Sequence, residues 1–450
     1  MSVSETLAEK IVALKPGVLP AVTTRKCRDL LIDIVGLCVT ARNEDYIRSA
    51  LAGCDDDGPC TVIGQVRTLN AAGAAFVNGT AAHGEDFDDT FVGGPVHAGA
   101  VIVPAVFAAC ERHNPDGRMA LIGIAVGTEV LCRLSLVVPK AVHKAGFHPT
   151  AIFGAMGAAA GVGAALGLNA RQIVDALGIA GSMAGGIIEY LAEGAWTKRL
   201  HIGWAAQSGI RAALLARGGF VGPRTVFEGV HGLFHGFAHT AQGDYDALIG
   251  GFGERWVTDT LAFKPYPCGT MAQPYIDCAR RLAARGIRPE DVTAIVCEVA
   301  EGTVHRLWEP LADKQRPPNG YAAKFATPYL LATGFVHGGV GLGAFTEAAI
   351  RDARVLELAA RVTFVVDPNN PYPSNYTGHI RATLRDGSVV EERQPHLRGG
   401  SQEPLTRQDL IDKFVLNVAH GGWSMTQSDA ALKLVARLYD GRIDLSPLRG

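Results

Sequence analysis

The sequence predicts a mainly α protein, in which a large all-helical domain receives a smaller α/β domain before its C-terminal helices. Up to about residue 260, Ala-rich segments repeat apolar residues at i, i+3, i+4 and i+7. Between about 290 and 400, β-branched residues alternate with polar ones, as in strands. Helical periodicity returns after residue 405. We therefore place the all-helical domain at 1–265 and 405–450 and the α/β domain at 266–404.

The helical domain is predicted from segments such as 25–43, 119–138 and 171–191. Residues 151–168 form an uncharged run that is long enough to cross a membrane. Ala and Gly dominate this run, so we expect a helix buried in protein, whose small residues let neighbouring helices approach closely. Its G-x-G patterns do not indicate a dinucleotide loop, because no strand precedes them.

The α/β domain is predicted from strand-like alternation in 291–302, 361–368 and 379–394, the last with an Asp-Gly hairpin turn. Apolar periodicity predicts helices in 328–352, 406–420 and 428–440.

Composition excludes several classes of protein. The 450 residues exceed one ordinary core, which favours two domains. A net charge of −2 argues against nucleic-acid binding. The first residues, MSVSETLAEKIVAL, lack the pattern of a signal peptide. Nine cysteines without a C-x-x-C pair predict reduced thiols in a cytoplasmic setting and no structural zinc. We expect no association with a membrane.

The most informative stretch is 82–99, AHGEDFDDTFVGGPVHAG, in which carboxylates crowd beside two imidazoles. An acidic solvated turn with capping aspartates is one interpretation. Apolar segments on both sides favour a pocket instead, since clustered titratable groups are typical of proton transfer. The residues concerned are His83, Glu85, Asp86, Asp88, Asp89 and His97.

Three further segments carry candidate chemistry. His148 stands at the entrance of the Gly/Ala helix, where a core histidine is an equally good interpretation. Lys198, Arg199 and His201 lie at the start of an apolar helix, where cations oppose the helix dipole. They are expected to bind an anion, unless they are merely solvated. Lys264 lies in a Pro-stiffened loop at the domain junction. The triple His231, His235 and His239 has metal-like spacing, but intervening glycines weaken the helix that it needs.

Six motifs in order resemble the MmgE/PrpD family, which includes 2-methylcitrate dehydratase, cis-aconitate decarboxylase and iminodisuccinate epimerase. They are FVNGTAAHGEDFDDT, GPVHAGA, GFHPTAIFGA, TKRLHIGWAA, FKPYPCG and AKFATPYLLATGFVHG. The resemblance implies a helical main domain with an α/β lid, a homodimer, an active site between the two domains and no organic cofactor. We expect no metal.

By this resemblance, Asp86 and His97 match the acidic motif and its following histidine, and His148 matches the GFH histidine. Lys198 and Lys264 match the two active-site lysines, and Tyr329 the tyrosine of A-K-F-x-x-P-Y. These six are the predicted catalytic residues. The predicted substrate contacts are Lys198, Lys264, His201 and Tyr266.

The predicted function is a lyase that removes water or CO₂ from a small di- or tricarboxylic acid. Lysines would neutralise carboxylates and stabilise an enediolate-like state, and a neutral imidazole would move the proton. Asp86 would orient His97 or a lysine rather than act as the base. The alternatives are a cofactor-independent epimerase of a dicarboxylate such as iminodisuccinate, and a non-catalytic carboxylate-binding homologue.

Two departures from the family pattern bear on the substrate. Gly269 and its two successors stand where relatives place a basic or imidazole residue, and Gln273 stands where several carry His. A contact to one substrate carboxylate is therefore predicted to be missing, which argues against a tricarboxylate such as methylcitrate or aconitate.

Overall fold

The computed structural model describes residues 1–55, 57–94 and 96–450, so Pro95 of the Gly-Pro turn lies outside the described residues. The chain divides into two compact units. The first comprises 1–84, 88–261 and 406–450, and the second comprises 85–87 and 262–405. The sequence placed the junctions at 265/266 and 404/405, whereas the structure divides the chain at 261/262 and 405/406. The loop that carries Lys264 consequently belongs to the second unit.

The first unit is built from helices, which confirms the mainly α prediction. Up to residue 261 they are α1 (Val3–Ala13), α2 (Ala21–Thr40), α3 (Asp45–Ala52), α4 (Ala71–Gly84), α5 (Gly99–His113), α6 (Gly117–Val137), α7 (Ala141–Lys144), α8 (Pro149–Ala165), α9 (Ala170–Met183), α10 (Tyr190–Glu193), α11 (Thr197–Arg217), α12 (Leu233–Ala238) and α13 (Tyr245–Ile249). Its described strands are short: β1 (Asp57–Thr61) pairs with β2 (Thr68–Leu69), and β3 (Thr90–Phe91) follows α4.

The Gly/Ala helix α8 is completely buried, as the sequence predicts. Glycines make its packing against α6 close: a Cβ on Gly161 would stand 2.6 Å from the carbonyl oxygen of Gly123. Helices α4 and α11 approach in the same way, since a Cβ on Gly79 would stand 2.9 Å from Cα of Gly203. Such backbone approach requires residues without side chains.

One helix among the described residues, α6, is long and apolar enough to cross a membrane, but 89% of its apolar window is buried inside the protein. Helix α6 is therefore buried in the way that is typical of a core helix.

The second unit contains helices packed with one mixed sheet. Strand β4 (Leu261–Ala262) spans the junction, and helix α14 (Gln273–Ala284) precedes β5 (Val292–Val299). The sheet order is β6-β5-β7-β8, with β6 (Val362–Val366) parallel to β5, and β7 (Gly378–Leu384) and β8 (Val389–Gln394) joined as the predicted hairpin. The other helices are α15 (Val304–Leu307), α16 (Leu311–Gln315), α17 (Gly320–Ala323), α18 (Thr327–His337) and α19 (Ala353–Ala359). The role of this unit as a lid stays a prediction.

The helix predicted over 328–352 is shorter than expected. It ends at His337 because Gly338 adopts φ 71°, a left-handed conformation that stops the helix, and only single 3-10 turns follow. The predicted C-terminal helices are present in the first unit as α20 (Arg407–His420) and α21 (Met425–Arg437).

Candidate active site

Four imidazoles and a tyrosine meet inside the helical unit. The His83 ring lies 5.0 Å from the His97 ring and 5.8 Å from the His148 ring, measured between centroids. The Nδ1 atoms of His148 and His201 lie 3.4 Å apart. The Tyr190 ring lies 6.2 Å from His148 and 5.8 Å from His201. We call His83, His97, His148 and His201 the histidine cluster.

Four separate segments position the histidine cluster. His83 is in the last turn of α4 and His201 is in the second turn of α11, two helices that glycines bring together. His148 is the N-cap residue of α8. The backbone N–H of His97 donates to Thr150 Oγ1 at 3.2 Å, which ties the start of α5 to α8. Packing of α4, α5, α8 and α11 therefore assembles the cluster.

The cluster favours neutral imidazoles. Burial lowers the pKa of His148 well below its ordinary value, and positive charge on His83, Lys198, His201 and His97 lowers it further. Burial, followed by charge on His83 and Lys198, lowers the pKa of His201 to about 4. A neutral imidazole at pH 7 is able to accept a proton. Lys198 is buried in the first turn of α11.

Asp89 fixes the segment in front of α5. Its carboxylate accepts hydrogen bonds from the backbone N–H of Ala98 at 3.1 Å and of Gly99 at 2.9 Å, which satisfies two donors at the helix start. Burial raises the pKa of Asp89 to about 8, and the carboxylates of Asp88 and Asp33 add to this rise. Asp89 thus satisfies donors at the start of α5, but Asp86, Asp88 and Asp89 are all buried, so the interpretation of this stretch as a solvated turn is wrong.

A cavity of about 710 Å³ lies beside the cluster in the helical unit. His201 and Tyr190 contribute to its wall, together with apolar and small residues that include Gly186, Ile187, Leu200 and Trp204. Gly186 has φ 141°, and a Cβ there would stand 3.2 Å from the His201 ring. A side chain at position 186 would therefore be strained and would crowd that ring.

One group of described residues has the composition of a metal site: His83, Asp88 and His97 offer ligand atoms that lie within 4.8 Å of one another. The hydrogen bonds already engage both Nδ1 atoms. His83 Nδ1 donates to Asp88 at 2.7 Å, and His97 Nδ1 donates to the Asp89 carbonyl at 2.7 Å. Because a carbonyl only accepts, His97 carries a proton on Nδ1, so its neutral form has the lone pair on Nε2.

In the second unit, two lysines hold the segment 85–87. Lys264 Nζ donates to Asp86 Oδ1 at 2.7 Å and to the Asp86 carbonyl at 3.0 Å. Lys324 Nζ donates to Glu85 Oε2 at 3.0 Å and to the Glu85 carbonyl at 2.8 Å. Asp86 has φ 57°, a left-handed conformation that costs free energy in a non-Gly residue and is common at functional sites.

The remaining predicted residues also lie in the second unit. Tyr266 is buried, donates to Asp277 Oδ1 at 2.6 Å and accepts from Arg280 at 2.7 Å, and burial raises its pKa. Tyr329 is in the core and donates to the Ala344 carbonyl at 2.6 Å. Gln273 is fully buried, and its amide donates to the carbonyls of Tyr266 and Cys268, so it holds the loop after Lys264 in shape.

The structure thus brings His97, His148, Lys198 and His201 together in the first unit, and Asp86 with Lys264 in the second. No role was predicted for Tyr190 or Lys324, and none for His83 and Asp88 beyond their place in the acidic stretch. The sequence held a signal for two of these residues. His83 precedes Asp86 by three positions, and Lys324 is the lysine of the A-K-F motif. Tyr190 had no local signal.

Comparison with known proteins identifies the family of the chain. The MmgE/PrpD N-terminal domain matches residues 5–246, and the MmgE/PrpD C-terminal domain matches residues 266–438. The chain belongs to the MmgE/PrpD family. It is 30% identical to human cis-aconitate decarboxylase over 98% of this chain and 92% of that protein. It is 27% identical to the cis-aconitate decarboxylase-like protein oryM of Aspergillus oryzae, over 92% of this chain and 90% of that protein. The Aspergillus terreus cis-aconitate decarboxylase is 26% identical over 88% of this chain.

Proposed function

We propose that this protein is a lyase that decarboxylates a tricarboxylic acid of the cis-aconitate type, without an organic cofactor. The observation that carries the proposal is the buried cluster of imidazoles, two of them held neutral, beside the buried cation Lys198. Full-length similarity to cis-aconitate decarboxylases supports the same reaction. It favours a tricarboxylic substrate, against the expectation from Gly269 and Gln273. These relatives do not favour the epimerase or the non-catalytic alternative.

The proposed chemistry is a decarboxylation coupled to proton transfer at carbon. The carbon–carbon bond to one carboxylate breaks and CO₂ leaves, while the electron pair enters a framework conjugated with a remaining carboxylate. Lys198 stabilises this developing charge. His148 or His97 exchanges the proton with carbon, and one solvent proton is consumed for each CO₂ released. Lys264, the second predicted lysine, is paired with Asp86, as expected if Asp86 orients a lysine.

The test uses cis-aconitate and a panel of related di- and tricarboxylates in deuterated water. We expect CO₂ release with one carbon-bound deuterium for each turnover. Lys198→Met should strongly slow this release, whereas the exposed Lys433→Met should leave it unchanged. Deuterium exchange without loss of CO₂ would favour an epimerase, release of water would indicate a dehydratase, and no reaction across the panel would favour a binding protein.

We further propose that the protein works in the cytoplasm as a homodimer. All nine cysteines lie in the described residues and none is in a disulfide, which suits a reducing compartment. A group of exposed apolar residues on the helical unit is a candidate for the dimer face. It consists of Ile187, Leu191, Trp196, Leu200 and Trp204.

A further inference from the structure

The pair formed by His83 and Asp88 lies at the centre of the histidine cluster, yet the proposed decarboxylation gives neither residue a step. Both side chains have no solvent-exposed surface. His83 Nδ1 donates to Asp88 Oδ2 at 2.7 Å, so the carboxylate fixes the ring plane and the proton on Nδ1. The other oxygen of this carboxylate, Asp88 Oδ1, lies 3.9 Å from Nδ1 of His97.

We propose that His83, held by Asp88, is a positioning residue that sets the orientation and the protonation state of His97 and His148. The inference deepens the proposed function, and it depends on that function for its kinetic test. His83 is in ring contact with both partners, at 5.0 Å with a 53° tilt to His97 and at 5.8 Å with a 31° tilt to His148. A fixed His83 ring therefore restricts the rotation of both neighbours.

Charge provides a second link. The Asp88 carboxylate stabilises an imidazolium at His83. After burial, positive charge at His83 is the largest influence that lowers the pKa of both His148 and His201. A positive charge at His83 thus helps to keep His148 and His201 in the neutral form that accepts a proton.

The other charged or titratable groups around the pair come from several elements. Arg199 Nε donates to the Gly84 carbonyl directly beside His83. A change in the pH dependence of a variant must therefore be compared with the contributions of the neighbouring groups. These are Asp89 in the same segment, His97 before α5, His148 before α8, Lys198, Arg199 and His201 in α11, and Asp33 in α2.

His83→Asn and Asp88→Asn separate positioning from folding. An asparagine amide at position 83 places a donor near Nδ1 and keeps the bond to Asp88, but removes the ring and its charge. Asp88→Asn preserves shape and removes the anchoring charge. The matched control is His337→Asn, since His337 also pairs with an aspartate, Asp352, at 3.1 Å but is 43% exposed and lies in the second unit.

For His83→Asn we expect kcat to fall about 10- to 100-fold, with KM changed less than about twofold. The pKa that limits kcat/KM at low pH should rise by about one pH unit, because a nearby positive charge is lost. His337→Asn should change neither parameter. Unchanged kinetics in both cluster variants, or loss of kcat together with the folded state, would overturn the proposal.

A second readout needs no substrate. With ¹³C-labelled histidine, the imidazoles of His148 and His201 should titrate at higher pH in His83→Asn than in the unsubstituted protein. If the protein turns over no carboxylate, the proposed function fails, but this titration still tests the role of His83. Failure of the proposed function and failure of this inference are therefore distinguishable. Identical titration curves would contradict it. So would stoichiometric zinc that is lost on His83→Asn, because His83 would then be a ligand.

Discussion

The Nδ1 atoms of His148 and His201 face each other at 3.4 Å. Two protonated Nδ1 atoms cannot share this contact, so at least one of them keeps its lone pair. Burial lowers the pKa of both imidazoles, which makes neutrality the stable state. The neutral state of these two imidazoles affects the free energy of unfolding as well as the proposed proton transfer.

The first prediction concerns pH and stability. The pKa of His201 is lowered from 6.5 to about 4 in the folded protein, so the unfolded chain binds more protons between these values. The free energy of unfolding should therefore fall as pH decreases from 6.5 to 4, by about 3 kcal/mol from this residue. Urea unfolding at several pH values measures the effect. His201→Gln should flatten this dependence and the exposed His231→Gln should not; equal slopes would contradict the assignment.

The second prediction concerns the buried pair of Lys264 and Asp86. Asp86→Asn leaves a buried ammonium without its carboxylate and should cost about 3–5 kcal/mol in the free energy of unfolding. Lys264→Met with Asp86→Asn should cost less than the sum of the single changes. Denaturant unfolding provides the four values of this cycle. The exposed pair of Arg351 and Glu347 is the control, where Glu347→Gln should cost less than about 1 kcal/mol.

The third prediction separates substrate binding from proton transfer. Lys198→Ala should lower kcat/KM by a factor equivalent to about 2–4 kcal/mol, because one charged contact to a carboxylate is lost. His97→Ala and His148→Ala should mainly lower kcat, with less effect on KM. Steady-state kinetics on the identified substrate tests both statements. Near-normal turnover in all three variants would show that the cluster is not the active site.

The fourth prediction concerns assembly. Light scattering should give twice the 47.4 kDa mass of one chain at micromolar concentration. Trp204→Glu places a charge in the exposed apolar group and should shift the mass toward that of one chain, because an isologous interface meets the same change twice. Val389→Glu, at an exposed apolar position in the second unit, serves as the control. A mass of one chain for the unsubstituted protein would refute the dimer.

The sequence by itself determined the helical character of the first unit, the strands of the second and the family. Apolar periodicity predicted α2, α6 and α9, and alternation with an Asp-Gly turn predicted the hairpin of β7 and β8. These features depend on neighbours within a few positions, so local patterns are sufficient to predict them. The helix predicted over 328–352 ends before Gly338, because the left-handed conformation of that residue stops it.

Tertiary structure decided which of the candidate residues meet. The acidic stretch looks like one site in the sequence, yet Asp86 pairs with Lys264 in the second unit and Asp88 pairs with His83 in the first. The meeting of His83 with His201 requires α4 and α11 to approach at Gly79 and Gly203. Contacts between distant segments follow from the packing of whole helices, and the pKa of a buried imidazole follows from the charges that this packing places around it.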